Sequence, residues 1–382
     1  MKSSSGRALG RFQKSENRMK LLSRFHYVRK RFKTELASSL ASERPAAMTD
    51  ELIEANRIVT VFGGSGFIGR HVVRALVQRG WRVRVAVRRP DLAFHLQPLG
   101  DVGQIHAVQA NLRYPDSVAH ALRDAAAAVN LVGILQESGA QRFDAVQHLG
   151  AQTVAKAVKE VGLDVFVHMS AIGADPAGSS LYARTKAFGE AAVRQILPDA
   201  IIMRPSVVFG PEDQFFNRFA AMARLMPALP LIGGGETKLQ PVFVGDVATA
   251  IALAVEGKAT PGTTYELGGL EVATLRRIIS FVLKVTGRRR RLIPISFGRA
   301  RSLAFVTEII HKLSLGLFPE ILTITSDQVK LLRGDSIVSP QALAEGRTLR
   351  GLGIAPEPFE TFVPTYLYRY RKTGQFAGTS AF

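Results

Sequence analysis

Tyr182 and Lys186 stand four positions apart in the run Tyr182-Ala183-Arg184-Thr185-Lys186, so a helix there puts them one turn apart on a single face. An ammonium so placed favours phenolate formation, which makes Tyr182 a candidate proton-transfer group. Alone the pair is weak evidence. Ser170, at the exit of the apolar run Val165–Met169, supplies a third candidate.

A second stretch, Gly63-Gly64-Ser65-Gly66-Phe67-Ile68-Gly69, lies between a predicted strand and a predicted helix. In that setting Gly63 permits a tight turn, Gly66 lets backbone approach a pyrophosphate, and Gly69 lets helix pack on strand. The exposed N–H groups of the helix then face the phosphate charge. Glycines that merely serve a tight corner are the competing reading. The next predicted strand ends in Arg88-Arg89, where an acid would accept hydrogen bonds from an adenosine ribose 2′-hydroxyl. A carboxylate there repels a 2′-phosphate, whereas guanidinium groups grip it bidentately, so the pair predicts NADP(H) over NAD(H). Ordinary solvated arginines are the alternative.

The elements that must position these groups follow a strand–helix alternation. Arg57–Gly63, Arg82–Val87, Ile105–Gln109, Ala128–Val132, Val165–Met169 and Ala200–Met203 read as strands. Helical spacing recurs at Phe67–Arg79, Ser117–Ala125, Phe143–Val161 and Ala183–Gln195. This predicts an α/β fold, a doubly wound parallel sheet of the Rossmann type with helices on both faces. After Pro205 the rhythm gives way to Pro- and Gly-rich loops around helices near Phe215–Leu225 and Val247–Val255, read as a smaller C-terminal, substrate-side lobe. The expected divisions are a basic extension at 1–50, a nucleotide-binding core at 55–212, a lobe at 213–376 that partly returns to the core around 237–256, and a tail at 377–382.

Composition narrows the chemistry. Of 382 residues 47% are hydrophobic and 21% charged, a soluble globular balance, and with no cysteine there is no disulfide scaffold, thiolate metal site or cysteine nucleophile. Electron chemistry therefore needs a bound cofactor. The histidines show no metal-ligand spacing, and His168, inside a strand, reads as a packed residue. Asp246 reads as a helix N-cap ahead of a helix from Val247. The net charge of +19 suggests an anionic partner, but roughly half the excess precedes Met48. That arm is a phosphate- or lipid-binding tail, a targeting peptide, or sequence ahead of a start at Met48. The run Arg288–Arg291 reads as a solvated loop, with no nucleic acid partner expected. Ala300–Ile324, interrupted by Arg301, Glu308, His311, Lys312 and Pro319, reads as an amphipathic helix instead of a membrane span.

The glycine spacing, with the Ser170, Tyr182, Lys186 order, resembles the short-chain dehydrogenase/reductase superfamily, in particular its extended and atypical members. The resemblance implies that Tyr182 exchanges a proton with a substrate oxygen, Ser170 orients that oxygen, and Lys186 holds the nicotinamide ribose while lowering the Tyr pKa. Lys186 would be retained equally by a protein that binds cofactor without turning it over. Asn111-Leu112 matches a usual Asp-Leu pair beside the adenine, Asn keeping an acceptor but losing the charge. Val132-Gly133 matches the turn after the fourth strand. Pro205 and Val208, in Arg204–Gly210, match the loop whose backbone meets the nicotinamide carboxamide.

Several stretches are similar to bacterial relatives of the NADPH-binding accessory subunit of respiratory complex I: Gly63–Arg89, Ser206–Leu225 with Gly210-Pro211-Glu212-Asp213-Gln214-Phe215-Phe216-Asn217-Arg218-Phe219, Leu229–Gly235, Gln240–Ala248 and the aromatic-basic Tyr366–Phe376. This implies a held NADP(H), a structural or regulatory role beside complex I or another membrane quinone enzyme, and a cytoplasmic, peripherally membrane-associated location. The Tyr366–Lys372 segment is expected either at a lipid interface or packed on the core. An active NADP-dependent reductase of a carbonyl, quinone or isoprenoid-like substrate is the alternative.

Overall fold

A computed structural model describes residues 57–313, 324–372 and 374. The expectations for the basic arm, for the 377–382 tail and for the end of the Ala300–Ile324 run lie outside the described residues.

The chain alternates β1 (Ile58–Phe62), α1 (Phe67–Val77), β2 (Arg82–Val87), β3 (Ile105–Gln109), α2 (Pro115–Leu122), β4 (Ala125–Asn130), α3 (Leu149–Val161), β5 (Val165–Met169), α4 (Leu181–Ile196) and β6 (Ile201–Pro205). These strands, joined by β11 below, form one seven-stranded sheet in the order β11-β6-β5-β4-β1-β2-β3, every neighbouring pair parallel. The central strands β1, β4 and β5 are nearly continuous apolar runs because helices cover both faces. One face packs Val72, Val73 and Leu76 of α1 on Val59, Val61, Val83 and Val85; the other packs Val154 and Val158 of α3 with Phe62, Ala128 and Phe166. The strand order reverses between β1 and β4, which opens a crevice at their carboxyl ends.

Beyond Pro205 come β7 (Val208–Phe209), α5 (Phe216–Leu225), β8 (Ala228–Ile232), β9 (Lys238–Leu239), β10 (Val242–Phe243) and α6 (Val244–Val255). Then follow β11 (Thr264–Leu267), β12 (Ala273–Thr274), α7 (Leu275–Val285), β13 (Arg291–Ile295), α8 (Phe297–Leu313), α9 (Ser326–Leu331), α10 (Pro340–Ala344) and α11 (Phe359–Leu367). A separate core gathers Phe209, Phe216, Leu229, Ile278, Val282, Phe359 and Val363. α6 packs back on the main sheet through Val247, Ile251 and Val255.

Two differences from the sequence expectation have local causes. β4 starts at Ala125, not Ala128, because Asp124 adopts a left-handed φ of 57° that ends the preceding turn and releases the chain into the sheet. Arg288 and Arg290 are not simply solvated: each donates to a backbone carbonyl, Arg288 Nε to Tyr370 and Arg290 Nε to Ala223.

Candidate functional site

The glycine turn closes at the carboxyl end of β1. Gly63 has φ +78° and its N–H donates to the Ala86 carbonyl at 3.0 Å, which fixes the turn to β2. A Cβ on Gly69 would lie 2.3 Å from the Gly63 oxygen, and one on Gly64 2.9 Å from Val85 Cγ1, so both positions are filled by their neighbours. α1 opens at Gly66 with no side-chain cap and no acid in its first turn, which leaves its positive end facing the crevice. Ser65 and Gly66 form the outer part of the turn. Phe67 lays its ring against Gly210 and His71, and Ile68 packs on the core, so these two reach the crevice through backbone.

On the adenosine side, Arg88 and Arg89 are exposed just beyond β2. They are not equivalent. Arg89 Nη2 pairs with Asp91 at 2.8 Å, and this hydrogen bond raises the arginine pKa and lowers that of Asp91. Arg88 has no partner among the described residues, whereas Arg89 would share its guanidinium with the exposed Asp91 carboxylate. Asn111 Oδ1 accepts from the Arg113 N–H at 3.2 Å, so part of its acceptor capacity closes a local turn. Leu112 is buried in the core beneath Gly150, leaving only its backbone for a ligand.

The remaining groups converge on the other side of the switch point. A Cβ on Gly63 would sit 3.2 Å from Val132 Cγ2, and one on Gly133 would sit 3.3 Å from Lys186 Nζ, so turn, β4 loop and α4 meet. Lys186 is buried and donates to the Met169 carbonyl at 3.0 Å. Burial brings its pKa down to about 8 against the opposing pull of Glu190. The half-buried Tyr182 has its ring edge-on to Phe143, and its hydroxyl makes no hydrogen bond among the described residues. Burial pushes its pKa up to about 12. Burial alone sets that direction, and the Lys186 ammonium donates to the β5 carbonyl.

Ser170 Oγ is buried without a partner. His168 is packed as expected. Asn130 Oδ1 accepts from Val132 N–H, so its amide nitrogen donates to His168 Nδ1 at 3.2 Å and the ring proton sits on Nε2. Burial, then the Lys186 charge, lowers that histidine to about 3 and keeps it neutral. The Pro205 carbonyl, at the end of β6, accepts from Ile172 N–H, while half-buried Val208 opens β7 and pairs with Val242 in a short parallel bridge.

Other residues carry the site without announcing themselves in sequence. A π-turn at Asp144–His148 precedes α3, and within it the buried Gln147 accepts from Thr185 Oγ1 at 3.0 Å and donates to the Ile134 carbonyl at 2.7 Å. It thus ties α4 to the loop after β4. Asp213, buried in the Gly210–Phe219 run, accepts from Gly210, Phe215 and Asn217 N–H and from Tyr366 Oη at 2.6 Å. Arg369 Nη2 donates to Asn217 Oδ1 at 2.6 Å, and Arg371 Nε to the Val285 carbonyl. These contacts pack the aromatic-basic segment on the core, the second of the two placements expected for it. Asp246 is the third residue of α6, not its N-cap, and its carboxylate receives Glu357 N–H at 2.9 Å; burial raises its pKa to about 6.

The residues present fit a dinucleotide: a side-chain-free cradle at an uncapped helix start, a buried ammonium and an orphaned buried hydroxyl border one crevice at the switch point. A parallel sheet of this order with that turn and a Tyr–Lys helix defines a dinucleotide-binding protein of the extended short-chain dehydrogenase type. The chain belongs to the NAD dependent epimerase/dehydratase family, whose model matches residues 59–268. It is 33% identical over 328 residues to subunit 9 of the mitochondrial NADH dehydrogenase (ubiquinone) 1 alpha subcomplex of Arabidopsis thaliana, covering 85% of this chain and 80% of that one. It is 31% identical over 247 residues to a ceramide reductase of Caulobacter vibrioides, covering 63% of this chain and 74% of the reductase. Among solved structures, the triphenylmethane reductase of Citrobacter sp. matches with a TM-score of 0.63 at 17% identity, covering 81% of this chain and 99% of that one. The kinship with the complex I accessory subunit expected from the sequence is borne out by the first of these.

Proposed function

We propose that this protein holds NADP(H) as a structural or regulatory element of a respiratory NADH:quinone oxidoreductase and does not cycle it. Bound there, the nicotinamide supplies hydride-transfer capacity. Gly63–Gly69 takes the diphosphate, Lys186 the nicotinamide ribose, the loops at Val132-Gly133 and Pro205–Val208 the nicotinamide end, and Asn111-Leu112 the adenine. One observation carries the reading: the buried Lys186 ammonium lies at Met169 and the Gly133 turn, on the crevice that the uncapped start of α1 faces. The identity with complex I subunits supports the partner.

A cytoplasmic protein seated peripherally on the membrane completes the proposal. Among the described residues no helix is long and apolar enough to cross a bilayer. Leu303, Phe305, Val306 and Ile309 of α8 are exposed beside Arg299 and Arg301, a face suited to an anionic interface.

Two experiments test the site. NADP(H) affinity is expected to fall as pH rises through about 8, where Lys186 loses its charge; Lys186→Met weakens binding and flattens that profile, while Tyr182→Phe leaves both unchanged. Titrations over this pH range decide it, and a Tyr182→Phe variant that loses affinity contradicts it. Arg88→Ala is expected to weaken NADP(H) roughly 10- to 100-fold, the loss of a charge-assisted phosphate contact, and to leave NAD(H) unchanged. A wild-type preference for NAD(H) overturns the assignment.

The second reading is a reductase of a carbonyl, quinone or isoprenoid-like substrate, favoured by the unpartnered Ser170 Oγ and Tyr182 hydroxyl. It requires substrate-dependent NADPH oxidation that Tyr182→Phe abolishes.

A further inference from the structure

The geometry points to Asp327 as a positioning residue that sets α4, and with it Lys186, in register for the nucleotide; the inference rests on the reading of Lys186 above. A helix leaves its first N–H groups without intrahelical partners. At the start of α4 the N-cap Ser180 Oγ accepts from Ala183 N–H at 3.3 Å, which leaves Leu181 and Tyr182. Both donate to one distant carboxylate: Leu181 N–H to Asp327 Oδ1 at 2.7 Å, and Tyr182 N–H to Oδ2 at 3.1 Å. Ser180 Oγ also donates to Oδ2, at 2.7 Å. A negative charge here gains further from the positive end of the helix.

Asp327 is held as firmly as it holds. It sits in the first turn of α9, where Thr325 and Gln328 form a reciprocal capping box. Ser326 N–H donates to Glu308 Oε1 of α8 at 2.6 Å, and Gln328 Oε1 accepts from Arg218 Nη1 of α5 at 3.3 Å. α9 therefore ties α8, the Gly210–Phe219 run and the Tyr182–Lys186 helix together. Lys186 lies one turn into α4, so a shift of that helix start moves its ammonium relative to Met169 and Gly133. Coupling of this kind is reciprocal: a nucleotide that gains from Lys186 in place also stabilises α9 in its docked position.

The test uses the full chain and NADPH. Asp327→Ala is expected to weaken NADPH roughly 5- to 20-fold and Asp327→Asn by less. The thermal upshift that NADPH produces shrinks in the same order. In wild type, NADPH slows amide exchange across Ser326–Leu331, and in Asp327→Asn the Leu181 and Tyr182 amides exchange faster. A lower melting temperature with unchanged NADPH affinity makes Asp327 a plain helix cap and overturns the inference alone. Should Asp327→Ala fail to fold, the Asn variant and the wild-type exchange data decide; no added protection of Ser326–Leu331 on NADPH binding overturns it. A wild type that binds no NADPH overturns the reading of the site as well.

Discussion

Gly69→Ala is expected to weaken nucleotide binding by at least about a hundredfold. The methyl group it adds has no room: it would lie 2.3 Å from the Gly63 oxygen and 2.7 Å from Gly64 Cα, and those are backbone atoms that cannot rotate away. The turn must open or α1 must retreat, and either displaces the N–H groups that face a diphosphate. Losing two charge-assisted hydrogen bonds at about 1.5–3 kcal/mol each corresponds to at least about a hundredfold in affinity. Overpacking of the corner costs about 1–3 kcal/mol of stability as well. Calorimetric titration and chemical denaturation of the variant measure both. Gly298→Ala is the control: nothing lies within 4 Å of its added Cβ, so affinity should stay unchanged, and stability should hold or rise by up to about 1 kcal/mol because the position is helical.

The second large effect is on stability. Asp213→Ala is expected to cost about 3–5 kcal/mol, because it strands buried donors that one carboxylate satisfied. Gly210, Phe215 and Asn217 lose their acceptor, and Tyr366 loses the 2.6 Å bond that anchors α11. Burial raises the Asp213 pKa, so the group tolerates its site only because those donors surround it. Tyr366→Phe, which removes a single donor and leaves three, should cost about 1.5–3 kcal/mol. Equilibrium unfolding in urea ranks the two; equal costs would mean that Asp213 acts through Tyr366 alone. The Gly210–Phe219 run thus has an architectural role. It ties the loop after β6 to the carboxyl-terminal helix and touches the nucleotide crevice through Gly210 packed on Phe67.

How much was legible in the sequence depended on the range of the interactions. The β1–turn–α1 unit was readable because its signals are local: an apolar run, glycines whose missing side chains are required within the same turn, and helical spacing directly after. Tyr182 and Lys186 were readable for the same reason, one helical turn being four residues. Their consequence was not, because the partner of Lys186 is a β5 carbonyl and no side-chain pattern encodes where an ammonium turns. Arg88 and Arg89 looked alike until Asp91 distinguished them. β11 is four residues long and joins the main sheet after a long excursion, so periodicity alone gave it no weight. Gln147 acts from a π-turn inside an apparently regular helix, and Asp327 acts across 145 residues. The residues that brace the site are those whose partners are farthest away in the chain.

The central claim is that the chain holds NADP(H), and denaturing the freshly purified protein and identifying the nucleotide released tests it most directly. The account predicts NADP(H) in near-stoichiometric amount, slow to exchange before denaturation. Release of no dinucleotide, together with no binding of NADP(H) on titration, would contradict it.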